Sequence, residues 1–444
     1  VQAIEWRHTR QAQILAARDD RFSRLLSRLL KDERRGQHLL TRSNLSDQDY
    51  AELESLAPEA HAALDIEMHE AIARLRGFLA AGDPLYITAM LLLPNVFGGW
   101  GTYYEPTSEG GEHKVELVAG LLATQPVNKK LDGPSDAEMQ QIHDEINRIL
   151  VATFLFNVSM PRGDDHDIAT LRFMGTMHWM LVRGSSYGQH GRDLAHALYG
   201  PHDEWMLAKY GFTVGEVLQL GDAVESHMNT RVNELMNQAR QFSDEVRNYV
   251  RSEGGKERLP AEARKQMSTE QGEFQLSAAA LVEVFQSGIR QATTFSVDEL
   301  CTANEGLRRE RVEAALKELS IAVGALESSG YTGLFDKSPL IDRPFLEFNG
   351  RYLLPIPGMV LRDTVALLED RFMTGKANFS TARAKVLDGL AARYLSDMLP
   401  GSMTYTNLFY EGAELDGLVV FEDIAFAVEG KGTGLSVQAH RGDV

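Results

Sequence analysis

The stretch from Glu414 to Lys431 constrains this chain more than any other. Leu418, Val419 and Val420 on one side, and Ile424, Phe426 and Val428 on the other, read as two short strands, with Glu422-Asp423 between them as a tight turn. With the turn there, Asp416 falls directly opposite Glu429, each six places from it. Side chains alternate along a strand, so Glu429 and Lys431 share a face. Two carboxylates and an ammonium group then converge at one end of a hairpin. Along Asp416, Leu418, Val420 and Ala425, Ala427, Glu429 the acids stand on an otherwise apolar face. A carboxylate in such a place is costly unless a metal or a cation partners it. Carboxylate oxygens are the ligands that hard divalent cations take, and a nearby lysine can orient a water or stabilise charge developing on a phosphoryl group.

The upstream segment supplies a helix and a strand. Ser380 is placed to cap a helix running through Leu399, with Val386, Leu390, Tyr394 and Leu395 as its apolar stripe, and Pro400-Gly401 ends it. Met403 to Tyr410 follows as a strand. The order helix, strand, hairpin, with Asp416 and Glu429-x-Lys431, resembles the start of the PD-(D/E)XK nuclease superfamily, the restriction-endonuclease-like fold. The resemblance covers residues 338–444. Asp388 stands where the family usually carries a helix glutamate, and Leu415 where a proline precedes the aspartate.

The resemblance implies a metal-dependent endonuclease. Asp416 and Glu429 would ligate Mg²⁺ or Mn²⁺, Asp388 would assist through a water, and Lys431 would position the attacking water. The substrate would be a DNA phosphodiester rather than RNA, in restriction, repair or defence against phage. It also implies that the core continues beyond Val444, and the start at Val1 without methionine leads us to expect trimming there as well. The other reading is a catalytically degenerate module on a helical scaffold that binds nucleic acid or a protein. On a blander reading still, Glu429 and Lys431 are solvated residues of an edge strand. The tripeptide alone carries little: Glu112-His113-Lys114 has the same spacing.

Charge bears on the partner. The chain has 45 basic and 63 acidic residues, a formal charge of −18, which argues against nonspecific adhesion to nucleic acid. Arg308-Arg309-Glu310-Arg311 and the set Arg383, Lys385, Arg393 are local basic groups, read first as solvated helix faces. The single cysteine, Cys301, excludes internal disulfides and cysteine-rich zinc sites and fits a reducing cytoplasm. The longest apolar run, Ile149 to Met160, is too short to span a bilayer, so no membrane partner is expected.

Residues 1–250 read as an all-α domain, 251–337 as a linker and small helical connector, and 338–444 as the nuclease-like part, giving an α+β multidomain chain. The helical region is expected to regulate, to oligomerise, or to hold a protein partner. Ser135 with Glu138, Thr213 with Glu216 and Ser296 with Glu299 have capping-box spacing. Leu64–Leu79, 149–156 and 171–181 carry apolar residues at helical period. The connector is compatible with a degenerate winged-helix-like element. Asn349-Gly350 is the strongest hairpin-turn signal in the chain, and a helix is expected from Met359 to Met373. Two loops with unusual chemistry are expected at Pro94–Pro106 and Met160–Asp167, the latter with Asp164, Asp165, His166 and Asp167. His178, His190, His196 and His202 are not spaced for zinc on a helix.

Overall fold

The structure is a computed structural model that describes residues 18, 20–25, 46–98, 111–126, 133–158, 188–252, 258, 283–327, 331, 333, 336–356, 358–362, 364–373, 376–410 and 412–429. It is mostly helical, and every strand among the described residues lies after residue 293, in two small sheets.

The helices begin with α1 (Asp47–Ala81), α2 (Pro84–Gly98), α3 (Gly111–Ala123) and α4 (Asp136–Val158). A capping box between Ser46 and Asp49 opens α1, and the expected Ser135–Glu138 pair opens α4, satisfying N–H groups that have no partner inside the helix. Helices α1 and α4 lie against each other, with Arg74 donating to Glu145 across them at 3.0 Å. Helix α3 is sheathed on all sides: Val115 and Leu117 to Ala123 are buried. Residues 94–98 continue α2, so the segment expected as a loop from Pro94 starts as helix. Its remainder, Met160–Asp167, His178 and the apolar run 171–181 lie outside the described residues.

Next come α5 (Gly188–Tyr199), α6 (Asp203–Tyr210) and α7 (Val214–Arg251). A turn at Gly200–His202 separates α5 from α6, because Pro201 lacks the N–H a continuing helix needs. The Thr213–Glu216 capping box starts α7, whose Val214, Val217, Leu218, Gly221, Val224, Met228, Val232 and Leu235 form a buried stripe at helical period.

A helix over 283–293 (α8) leads into β1 (Thr294–Phe295), α9 (Val297–Ala303), α10 (Arg309–Leu319) and β2 (Ser320–Ala322). Ser296 and Glu299 form the capping box of α9, and Cys301 sits half-buried within that helix. Beyond α11 (Pro339–Asp342), β3 (Phe345–Phe348) and β4 (Arg351–Leu353) form the hairpin around Asn349-Gly350, both at positive φ as a type I′ turn requires. The sheet order is β1-β4-β3-β2, with β2 parallel to β3 and the other pairs antiparallel. Strands β1 and β2 precede residue 338 and β3 and β4 follow it, so the change of composition at 338 falls inside one sheet.

The segment expected as one helix over Met359–Met373 is helical over Met359–Arg362 (α12) and Thr364–Leu368 (α13), with Asp363 outside the described residues, and passes into a π turn over Glu369–Met373. Tyrosine hydroxyls from the helical body hold this segment: Tyr199 donates to the Val365 carbonyl at 2.9 Å and Tyr210 to the Phe372 carbonyl at 3.2 Å. Gly221 of α7 lets α12 approach, since a Cβ there would lie 3.0 Å from Leu361 Cδ2. One apolar core runs from α1 through the first sheet to Phe379, and a smaller cluster gathers Phe22, Leu64, Met68, Ala152 and Leu155. Among the described residues no helix is long and apolar enough to cross a membrane.

The chain then forms α14 (Phe379–Met398), β5 (Met403–Tyr410), β6 (Ala413–Phe421) and β7 (Ile424–Val428), with strand order β5-β6-β7 and every pair antiparallel. Ser380 does not cap α14. The cap position is Asn378, in the left-handed region at φ 60°, and Ser380 lies in the first turn. Phe379 anchors this end by stacking on Tyr199 at 5.7 Å and meeting the edge of His202. Of the expected stripe Leu390 is buried, whereas Tyr394 is 45% exposed; Ala392 takes the sheet contact instead.

Candidate functional site

The β6–β7 ladder pairs Phe421 with Ile424, Val420 with Ala425, Val419 with Phe426, Leu418 with Ala427 and Gly417 with Val428. Glu422-Asp423 is the turn, and Glu422 adopts φ 54° to make it. The next position along the ladder belongs to Asp416 and Glu429. On the other flank of β6, Thr406 pairs with Gly417 and Leu408 with Leu415, so Asn407 is bracketed opposite Asp416. Asn407 has φ 52°, a left-handed residue inside a strand. Asn407, Asp416 and Glu429 thus form a cross-strand row.

Helix α14 covers one face of this sheet. Gly417 and Val419 are buried on that side, where an added Gly417 Cβ would meet Ala392. By alternation, the opposite face carries Glu414, Asp416, Leu418 and Val420 on β6, Met403, Tyr405 and Phe409 on β5, and Ala425 and Ala427 on β7. Among the described residues nothing covers it: Ala425, Ala427 and Glu429 are exposed, and Asp416 is half-buried. The expectation that its acids sit in a costly apolar interior is corrected on this point, because solvent reaches the face.

Asp388 approaches from α14, four residues before Ala392. Its carboxyl is held above the usual aspartate range, first by burial and then by the negative charges of Asp416 and Glu414. Asp388, on the side that α14 covers, therefore feels the charges of Asp416 and Glu414 across the sheet. Glu414 was missed in the sequence. The available signal was its position two residues before Asp416, on the same side of the strand.

Lys431 lies outside the described residues, so its place relative to Asp416 and Glu429 is not part of this geometry. Among the described residues, no three His, Cys, Asp or Glu side chains are arranged to hold one ion. The donor chemistry nonetheless suits a hard divalent cation: all the groups are carboxylates, and Asp388 is burdened by two like charges that a cation would relieve. The second Glu-x-Lys stands in a different setting. Glu112, His113 and Lys114 belong to helix α3, with His113 buried 3.7 Å from Glu116.

The remaining candidates recede. His190 and His196 are on α5, while His202 lies in the following turn against Phe379. Arg308 and Arg311 pair with Glu216, and Arg309 with Asp298 and Glu313. Arg383 pairs with Glu369 at 2.7 Å, whereas Lys385 is exposed and makes no ion pair among the described residues. A cavity of about 460 Å³ beside the first sheet is lined by Ile321, Tyr331, Lys337, Asp342 and Arg343 among others, and by none of the carboxylates above. No family model matches this chain, and no curated protein or solved structure matches it.

Proposed function

We propose that the unit from Phe379 onward belongs to a PD-(D/E)XK-type core, and that the chain is a metal-dependent nuclease acting on DNA. The observation that carries this reading is the position of Asp416 and Glu429, next in register after the Gly417–Val428 pair of the hairpin. Asp416 and Glu429 would hold Mg²⁺ or Mn²⁺, which when bound supplies Lewis-acid polarisation of a phosphoryl oxygen and a more acidic water. Lys431, two places beyond Glu429, is the group that would orient the attacking water and offset charge on phosphorus. Asp388, protonated more readily than an ordinary aspartate, would hold a water by hydrogen bonding. Water adds to phosphorus, one P–O ester bond breaks, and the leaving oxygen takes up a proton. The helical body would regulate this unit or pair it with a second copy or a protein partner, a role that rests on fold analogy alone.

A second reading has its own support. The described carboxylates do not form a ready ion cage, which fits a degenerate module that binds nucleic acid or a protein without cutting. Cleavage of plasmid and single-stranded DNA in Mg²⁺ by the wild type, Asp416→Ala and Lys431→Ala separates the two. Loss of cutting in both variants supports the nuclease; equal cutting by all three overturns it, and binding without cutting by the wild type favours the second reading.

A further inference from the structure

We propose that the cavity beside the first sheet binds a small organic carboxylate with an apolar body, the carboxylate on Arg343 and the body against Ile321, Leu326, Tyr331 and Pro339. The proposal is independent of the nuclease reading, since the cavity shares no residue with the carboxylates of the C-terminal hairpin.

The cavity is built from segments that are far apart in sequence and are fastened in place. The Gly324 N–H donates to the Leu122 carbonyl and the Leu326 N–H to the Ala123 carbonyl, both at 2.9 Å, so the turn after β2 closes on carbonyls at the end of α3 that have no partner within that helix. Arg76 of α1 donates to the Tyr331 carbonyl at 2.8 Å. The Tyr331 ring lies on Gly120 of α3, where an added Cβ would be 2.7 Å from it, and the residue is buried. On the far side the Asp336 carboxylate accepts from the Gly333 N–H at 3.2 Å, and Ser338 caps α11. A volume of about 460 Å³ with walls held in this way is the size and preorganisation of a small-molecule site.

The lining selects the ligand. Ile321, Leu326, Tyr331 and Pro339 offer an apolar wall, which favours a hydrocarbon body over a sugar or a hydrated ion. Lys337 is engaged by Asp342 at 2.7 Å. Arg343, half-buried, makes no ion pair or side-chain hydrogen bond among the described residues, and its planar fork matches an oxyanion at two points. Asp336 and Asp342 stand in the same lining and repel a second negative charge. A monoanionic carboxylate therefore suits the cavity better than a phosphate dianion.

The test is ligand-detected NMR and thermal melting of the full chain with phenylacetate, phenylacetamide and phenyl phosphate, the last carrying about two negative charges at neutral pH. Phenylacetate should bind and raise the melting temperature, about 10- to 150-fold more tightly than the neutral amide, and phenyl phosphate should bind less well than phenylacetate. Arg343→Gln should abolish the preference for acid over amide. Leu326→Ala should weaken both by a similar factor and leave the preference intact. The comparison of acid with amide needs no variant, so it stands even where Arg343→Gln fails to fold. Binding of none of the three, equal affinity for acid and amide, tighter binding of phenyl phosphate, or an Arg343→Gln protein that folds and keeps the wild-type preference would each overturn the proposal.

Discussion

Gly417 of β6 and Ala392 of α14 are in such close approach that a Cβ built on Gly417 would lie 2.9 Å from the Ala392 Cβ, and 3.3 Å from that of Val428. The contact sets the distance between helix and sheet, and with it how near Asp388 comes to Asp416. Gly417→Val should destabilise the protein by about 1–3 kcal/mol, as overpacking does, and Ala392→Gly should restore part of the loss. Urea unfolding of the single and double variants measures both.

Asp388 makes stability depend on pH in a stated direction. Its carboxyl is raised by burial and by the charges of Asp416 and Glu414, so the folded state holds its proton more tightly than the unfolded chain. Stability contributed by this group is therefore lost as pH rises from the ordinary aspartate range through the raised value. Asp388→Asn should stabilise the protein at neutral pH and make no difference in acid below that range. Melting temperatures of the pair across pH 3 to about 8 check the sign, and added Mg²⁺ should narrow the gap by favouring the wild-type carboxylate.

Two helix starts should respond differently to the same change. Thr213 accepts from the Glu216 N–H at 3.3 Å while Glu216 accepts from the Thr213 N–H at 2.9 Å. Thr213→Ala should cost about 1 kcal/mol. Ser380 makes no such cap, so Ser380→Ala should stay within about 0.5 kcal/mol of the wild type. Denaturant midpoints at constant slope decide the comparison.

The two hairpin turns offer a further contrast. Asn349 holds φ 54° and Glu422 φ 54°, but asparagine tolerates the left-handed region and glutamate does so at a cost. Glu422→Gly should stabilise by up to about 1 kcal/mol, whereas Asn349→Val should destabilise by about 1–2 kcal/mol. Thermal melts of the two variants would reverse order if the turns were otherwise built.

The hairpin around Glu422 was legible because alternation and a two-residue turn fix register locally, down to Asp416 facing Glu429. The capping boxes at Ser135, Thr213 and Ser296 were legible for the same reason, since each involves groups three residues apart. Long-range facts were not. Nothing near Thr294 announces that it pairs with Leu353, and nothing near Val365 or Phe372 shows that Tyr199 and Tyr210 will claim their carbonyls. Apolar pattern on β6 and β7 told which residues share a face but not which face α14 would cover, so the acids were placed in an interior that is open. Ser380 misled because serine is a common cap, and the chain turned at Asn378 instead. Asp388 was picked from its place on the helix, while the company of Glu414 needed the fold of β6 over α14.

The first sheet also decides how the chain responds to being cut. Its strands come from segments on both sides of residues 323–344, joined by the antiparallel ladder of β1 with β4 and the parallel one of β2 with β3. A nick within that interval should leave two polypeptides that share backbone hydrogen bonds and one apolar core and stay associated without a covalent link, which gel filtration of the nicked protein checks. The molecule is in this sense already a pair of complementary fragments, suited to reconstitution from two separately made halves.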